Sequence, residues 1–253
     1  MLALQRRRKI LELLEEEGGA RVSGLSRIFK VSEPTIRQDL MRLEEDGFIL
    51  REHGGAFLKS VPQQVKELSL RHQENMDRKI RIGRRAAELV RSEDSLILDA
   101  GSTTTEVARN LVSLKNLVIV TNALNIALLL GTEQSNSIMV TGGEFKAPTL
   151  SLTGEKAAVL FDQIHVGKCF LAVGGVSPET GLSYPGLNDL PVKKAMIKAA
   201  SEVYLVADST KIGKTSFATL GPIGMVDVLI TDDGISEADR AAFESSGVKV
   251  IVA

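Results

Sequence analysis

The segment Asp99-Ala100-Gly101-Ser102-Thr103-Thr104 follows the apolar run Leu96-Ile97-Leu98 and leads into a helical pattern, so a carboxylate, a glycine and three hydroxyls gather at one strand end. Glycine admits close backbone approach, and free N–H groups with hydroxyls at a helix N-terminus attract anions such as phosphate. Small polar residues recur after three other apolar runs, at Thr121-Asn122, Thr141-Gly142-Gly143 and Gly174-Gly175. A further run ends in Asp208-Ser209-Thr210-Lys211, where Lys211 can answer a phosphate charge; Lys193, at the start of another helix, is a second candidate. Ser and Thr also serve as ordinary helix caps, so each motif is weak alone and the set of them carries the argument.

A different chemistry is offered near the N-terminus. Ile36, Leu40 and Leu43 recur at i, i+4, i+7, which turns Thr35, Gln38 and Arg42 outward and leaves Arg37 on the flank of the same helix. Arg and Gln carry donors suited to guanine and adenine edges, and the hydroxyls of Ser32 and Thr35 can bond to phosphate or base. Ser32 is placed to cap this helix and Pro34 sits in its first turn.

The elements that must position these groups fall into two textures. Up to about Leu58, apolar residues at helical spacing among many charges predict a first helix lined by Leu4, Ile10, Leu11, Leu13 and Leu14 and stopped at Gly18-Gly19. A short second helix carries Leu25, Ile28 and Phe29, and the third is the one just described. Phe48 to Arg51, the turn His53-Gly54-Gly55 and a returning strand then make a hairpin. Three short helices and a hairpin describe a winged helix-turn-helix, mostly α with a β-hairpin wing, which sets its third helix in the DNA major groove and brings Arg51 and His53 to the backbone or minor groove. Residues 59–76 read as a linker, and from Asp77 to Ala253 apolar strands alternate with helices, the pattern of an α/β domain with a largely parallel sheet. Ligands of such sheets lie at the carboxyl ends of the strands.

The wording of the sequence sharpens both readings. Residues 31–56, VSEPTIRQDLMRLEEDGFILREHGGA, resemble the recognition helix and wing of the DeoR family of bacterial transcriptional regulators, whose usual pattern is V-S-x-x-T-I-R-R-D-L, L-E-x-x-G and R-x-H-G-G-A. Gln38 stands where that family usually has a second arginine, which bears on base preference and on the number of phosphate contacts. DAGSTTTEVARNL, VTNALNIA, TGGEF, VGG, GLSYPGLND, VKKAMI and VADSTKIG are similar to the C-terminal sensor domain of the same family, related in fold to ribose-5-phosphate isomerase. The resemblance covers nearly the whole chain. It implies operator DNA as one partner and a phosphorylated sugar or polyol as another, with phosphate near Ser102, Thr103, Thr104 and Lys211 and hydroxyls near Asn122, Gly174 and Lys193. Asp99, Gly101, Gly143, Gly175 and Asp208 complete the expected effector site.

The isomerases similar in fold carry aspartates around the segment that reads Val173-Gly174-Gly175-Val176 here, and a glutamate near Pro191-Val192-Lys193. This chain has no Asp or Glu in either segment, so the resemblance implies a sensor that has kept the pocket and lost the base. The alternative is a sugar-phosphate isomerase-like enzyme with an accessory DNA-binding module, in which Asp189 or Asp208 supplies a relocated base. Repression of a carbohydrate-utilisation operon and a homo-oligomer, dimer or tetramer, are expected of the first reading, since paired DNA half-sites meet a two-fold protein.

Composition bounds the rest. The chain has 253 residues, 43% of them hydrophobic, with 31 Lys and Arg against 32 Asp and Glu, which excludes a disordered or collagen-like chain and leaves any charged partner to local patches. Cys169 is the single cysteine and no intramolecular disulfide is possible; the N-terminus RRRKILELLEEE lacks the apolar core of a signal peptide, and no apolar stretch nears the length of a membrane span. The cytoplasm is the expected compartment. His53, His72 and His165 are scattered and show no ligand spacing with Cys169, so neither a metal nor a cofactor is expected.

Overall fold

The computed structural model describes residues 2–17, 19–52, 54–58 and 74–253, in two compact units, Met1–Glu74 and Asn75–Ala253. In the first, helices α1 (Ala3–Glu17), α2 (Val22–Phe29) and α3 (Glu33–Glu45) are joined by strands β1 (Gly19–Arg21), β2 (Ile49–Glu52) and β3 (Gly55–Leu58). Ile10, Leu14, Leu25, Ile36, Leu40, Leu43 and Ile49 form its core. Each such side chain contributes about 1.5–3 kcal/mol on full burial, which is what holds three short helices that would be marginal alone. The turn between α2 and α3 is closed by Lys30, in the left-handed region at φ 52°, and by Ser26, whose backbone C=O accepts from the Val31 N–H and whose hydroxyl donates to the Val31 C=O.

Two expectations for this unit change. Leu4 is 74% exposed, off the buried stripe of α1, and Arg6 is buried instead. Gly19 does more than follow a helix: Gly19–Arg21 is an edge strand paired antiparallel with β3, so the wing sheet has three strands in the order β1-β3-β2. A Cβ at Gly19 would run into the Phe57 ring, which is why a side chain is missing there.

The second unit is built on a seven-stranded sheet, β15-β14-β12-β9-β4-β5-β6, in which every pairing is parallel. Its strands are β4 (Ser95–Leu98), β5 (Val118–Thr121), β6 (Ser137–Val140), β9 (Val166–Leu171), β12 (Ala200–Val206), β14 (Val228–Thr231) and β15 (Lys249–Val252). Side chains alternate between faces, as strands require. Leu96 and Leu98 pack with α4 (Met76–Ala87), α5 (Ser102–Leu111) and α6 (Leu124–Leu130) on one face. Ile97 packs on the other with α7 (Glu155–Ala158), α8 (Leu190–Lys198) and α9 (Glu237–Ser245). Cys169 lies in this second core, where burial and the Asp99 carboxylate push its thiol pKa upward, so it is an inert packing group.

Helix α8 spans Leu190–Lys198, β12 starts at Ala200, pairing with Val166, and β4 ends at Leu98, one residue before Asp99. Five short strands were not read from the sequence. β7 (Glu144–Lys146) and β8 (Ser151–Thr153) pair as a hairpin, and β10 (Gly175–Ser177), β11 (Gly181–Tyr184) and β13 (Ala218–Gly221) form a separate antiparallel sheet. At three or four residues each they carry no usable periodicity, and the pairing of β11 with β13 joins distant parts of the chain.

Candidate functional site

The surface of α3 carries most of the residues expected to meet DNA. Ser32 caps the helix, its Oγ accepting from Thr35 N at 3.4 Å and lying 2.8 Å from Thr35 Oγ1; this couples the two hydroxyls and leaves Thr35 half-buried. Arg37, Gln38 and Arg42 are exposed. The arginines are held by acids of their own helix, Arg37 Nη2 at 3.1 Å from Glu33 Oε2 and Arg42 Nη1 at 3.0 Å from Glu45 Oε2. Exposed pairs of this kind are worth about 0–1 kcal/mol, so exchanging them for phosphate or base costs little. In the wing, the Arg51 main-chain N–H donates to Glu44 Oε1 at 3.0 Å and its Nε lies 3.6 Å from Glu44 Oε2, which ties β2 to the end of α3. His53 lies outside the described residues.

One residue that the sequence reading quoted only as part of a motif proves central to this surface. Asp39 faces inward from α3 and its Oδ2 accepts from Arg6 Nε of α1 at 2.5 Å, with 9% and 6% of the two side chains exposed. A buried ion pair with one hydrogen-bonded geometry orients the helix that carries Arg37 and Gln38. Its signal in the sequence was a lone acid on the apolar side of an amphipathic helix.

In the second unit the parallel sheet gathers the other candidates along one edge. Asp99 follows β4, Asn122 follows β5, Ala172–Gly175 follow β9, Asp208 follows β12 and Asp232 follows β14. Adjacent strands are about 4.8 Å apart, so Asp99 and Asp208, two strands from each other, are on the order of 10 Å apart. Asp99 is fully buried; one oxygen accepts from Ala100 N at 2.7 Å and the other from Ala172 N at 3.0 Å. Its first oxygen is also bound by Lys193 Nζ, whose ammonium lies 5.4 Å from the Tyr184 ring centre, while the Tyr184 hydroxyl donates to Ala172 O at 2.8 Å. Burial pushes the Asp99 pKa upward, and Lys193 with the two amides pulls it back. Lys193 is therefore spent on Asp99, the carboxylate that links the ends of β4 and β9 through Ala172 N, where the sequence suggested a free contact for hydroxyls. Asn122 adds to this joint, its Oδ1 accepting from Ala100 N at 3.0 Å and its Nδ2 donating to Leu152 O at 3.0 Å.

At the start of α5, Thr104 Oγ1 donates to Gly101 O at 2.9 Å and Thr105 Oγ1 to the same oxygen at 2.7 Å. Thr103 and Thr104 are buried and Ser102 is half-buried, so the groups open to a ligand here are the first-turn amides and Ser102. A Cβ at Gly101 would sit 2.6 Å from Ala172 Cβ, and one at Gly174 would sit 2.7 Å from Ser216 Oγ. Gly175 would strike the Lys214 carbonyl, and Gly143, at φ +117°, would come within 2.6 Å of Thr153 O. These glycines admit neighbouring protein. At the end of β12, Asp208 is buried, its Oδ1 is shared by Thr210 and Asn75, and its Oδ2 has no hydrogen-bond partner among the described residues. Lys211, two residues past Ser209, is half-buried and has no carboxylate partner among the described residues. Asp189 is held by Lys146 Nζ at 2.7 and 3.0 Å, beside a recess of about 460 Å³ lined by Glu144, Thr153, Gly154, Lys156, Asn188 and Pro191. Among the described residues no cluster of His, Cys, Asp and Glu could hold a metal ion, and no helix is long and apolar enough to cross a membrane.

A winged helix-turn-helix followed by a parallel α/β unit, with polar groups concentrated at the strand ends, is the architecture of a two-domain regulator. The chain matches the DeoR-like helix-turn-helix domain over residues 6–61 and the DeoR C terminal sensor domain over residues 74–233, and it belongs to the DeoR family. It is 33% identical over 253 residues, all of both chains, to the HTH-type transcriptional regulator GolR of Listeria innocua. It is 33% identical to the regulator GlpR of Haloferax volcanii, covering 99% of this chain and 98% of that one. The transcriptional repressor GlcR of Bacillus subtilis is 32% identical, over 96% of this chain and 93% of its own. Ribose 5-phosphate isomerase A of Methanocaldococcus jannaschii is a structural neighbour with TM-score 0.41 and 18% identity, over 55% of each chain.

Proposed function

We propose that this DeoR-family regulator binds operator DNA through Ser32, Thr35, Arg37, Gln38, Arg42, Arg51 and His53, and represses a carbohydrate-utilisation operon in the cytoplasm as a homo-oligomer. A phosphorylated sugar or polyol binds at the carboxyl edge of the sheet and changes operator affinity. The observation that carries the effector reading is Lys211: a half-buried cation that has no carboxylate partner among the described residues, beside a buried Asp208 with one oxygen lacking a donor among them, on the same sheet edge as the first turn of α5. Phosphate supplies the charge that Lys211 lacks, and a ligand hydroxyl supplies the proton that Asp208 Oδ2 lacks. Asp99, Gly101, Ser102, Thr103, Thr104, Asn122, Gly143, Gly174, Gly175 and Lys193 shape the site, several of them through the packing described above.

We read the site as a sensor. Of the carboxylates that could serve as a base for aldose–ketose isomerisation, Asp99 is bound by Lys193 and Asp189 by Lys146; Asp208, whose Oδ2 has no partner among the described residues, is the one that an assay for isomerase turnover tests. The test is the thermal midpoint of the full chain against sugar and polyol phosphates, each paired with its unphosphorylated parent. A ligand at 100 times its Kd stabilises by about 2.7 kcal/mol, which raises the midpoint of a unit this size by about 5–11 °C. A shift with a phosphate and none with its parent supports the reading; conversion of the sugar phosphate to its ketose isomer, or no shift with any phosphate, overturns it.

A further inference from the structure

The chain enters the second unit at the first turn of α4, and two side chains of that turn reach across to the turn that bears Lys211. Asn75 Nδ2 donates to Asp208 Oδ1 at 3.3 Å and to Thr210 Oγ1 at 3.4 Å. Arg78 Nη1 donates to Ser209 Oγ at 2.7 Å and lies 3.5 Å from Asp232 Oδ2. Asp232, fully buried at the end of β14, accepts from Ser209 N at 2.7 Å, Ser209 Oγ at 3.0 Å and Gly234 N at 3.1 Å. Ser209 is thus gripped from two sides, by a strand end and by α4. Asn75 opens α4 in the left-handed region at φ 53° and makes no side-chain cap; its amide is committed to Asp208 and Thr210 instead.

The same helix also lies directly on α5. A Cβ at Gly83 would come within 2.6–2.7 Å of the Glu106 backbone, so α4 and α5 are in backbone contact there. One helix therefore touches both halves of the candidate anion site, the Ser209–Lys211 turn through Asn75 and Arg78 and α5 through its glycine face.

We propose that Arg78, with Asn75, is the positioning residue that relays occupancy of the Lys211 turn to the first turn of α4, where the chain arriving from the helix-turn-helix unit joins the sensor unit. An anion on Lys211 adds negative charge beside Ser209, Asp208 and Asp232. The Arg78 guanidinium is drawn more tightly onto the turn, and the start of α4 is ordered with it. The inference rests on the reading of Lys211 as an anion ligand.

Hydrogen exchange of the full chain, read by mass spectrometry through a titration of inorganic phosphate, tests it. In the parent, phosphate slows exchange over residues 205–213 and over residues 74–80, the latter about fivefold or more if the coupling is of ordinary allosteric size. Arg78→Met keeps the phosphate-dependent protection at 205–213 and loses it at 74–80, and Arg78→Lys recovers part of it by restoring the charge. Asp232 retains three donors in these variants, so the fold persists; Asn75→Ala gives the same loss in smaller measure. Protection at 74–80 that survives Arg78→Met, or that is absent in the parent while 205–213 is protected, overturns the relay and leaves the anion site standing. No phosphate effect at 205–213 in the parent, or an effect that Lys211→Ala does not remove, overturns the anion site and the relay with it.

Discussion

Asp39→Ala is the substitution whose consequence is most completely determined by the structure. It removes the partner of Arg6 in a site where 9% and 6% of the two side chains are exposed, leaving a buried guanidinium without its carboxylate. Stranding one member of a buried pair costs about 3–5 kcal/mol, against a total of about 5–15 kcal/mol for a whole domain. For a unit of this size that is a fall in melting midpoint of about 12–40 °C. The amides of α3 in the full-length chain should then exchange about two to three and a half powers of ten faster, since each 1.4 kcal/mol is tenfold. The strands of the seven-stranded sheet serve as the internal reference and do not change. Replacing both partners, Arg6→Met with Asp39→Leu, removes the charges together and restores most of the stability, because exchanging a buried pair for apolar groups of similar volume is close to neutral. A D39A chain whose α3 amides exchange as slowly as those of the parent refutes the reasoning, and so does a double variant less stable than the single one.

Other consequences can be checked separately. Arg37→Ala, at a side chain 61% exposed, leaves the melting midpoint unchanged and weakens binding to an operator selected by the parent from a random DNA pool; loss of one base-edge contact is worth about 1–3 kcal/mol, or about 5- to 150-fold in Kd by fluorescence anisotropy. Lys211→Ala abolishes the midpoint shift with phosphorylated ligands and keeps the operator affinity of the ligand-free chain; isothermal titration and a mobility shift read the two effects. Gly143→Ala forces a side chain into a backbone at φ +117° with Thr153 O at 2.6 Å and Ala157 Cβ at 2.8 Å. Strain and overpacking of that kind cost about 1–3 kcal/mol each, together a drop of about 4–24 °C in the sensor unit. Cys169, with its thiol pKa raised by burial, resists alkylation by iodoacetamide in the folded chain and reacts once the chain is unfolded, as mass spectrometry would record.

Much of this protein was legible in the sequence because the signals are local. The period of Ile36, Leu40 and Leu43 placed α3 and its exposed face, Ser32 and Pro34 marked its start, and short apolar runs between helical patterns announced a parallel sheet with candidates at its strand ends. Hydrophobic patterning and caps act within a turn or two of chain, so they survive being read in one dimension. What the tertiary structure alone decided is which polar groups meet. Arg6 finds Asp39 across 33 residues, Lys193 finds Asp99 across 94, and Arg78 finds Ser209 across 131. Lys193 and Lys211 look alike as lysines after or before a strand, yet one is consumed by a buried carboxylate and the other has no such partner among the described residues. The reason is physical: an ion pair is specified by where the sheet order β12-β9-β4 returns the chain, and that order is a property of the packed core that no local spacing encodes.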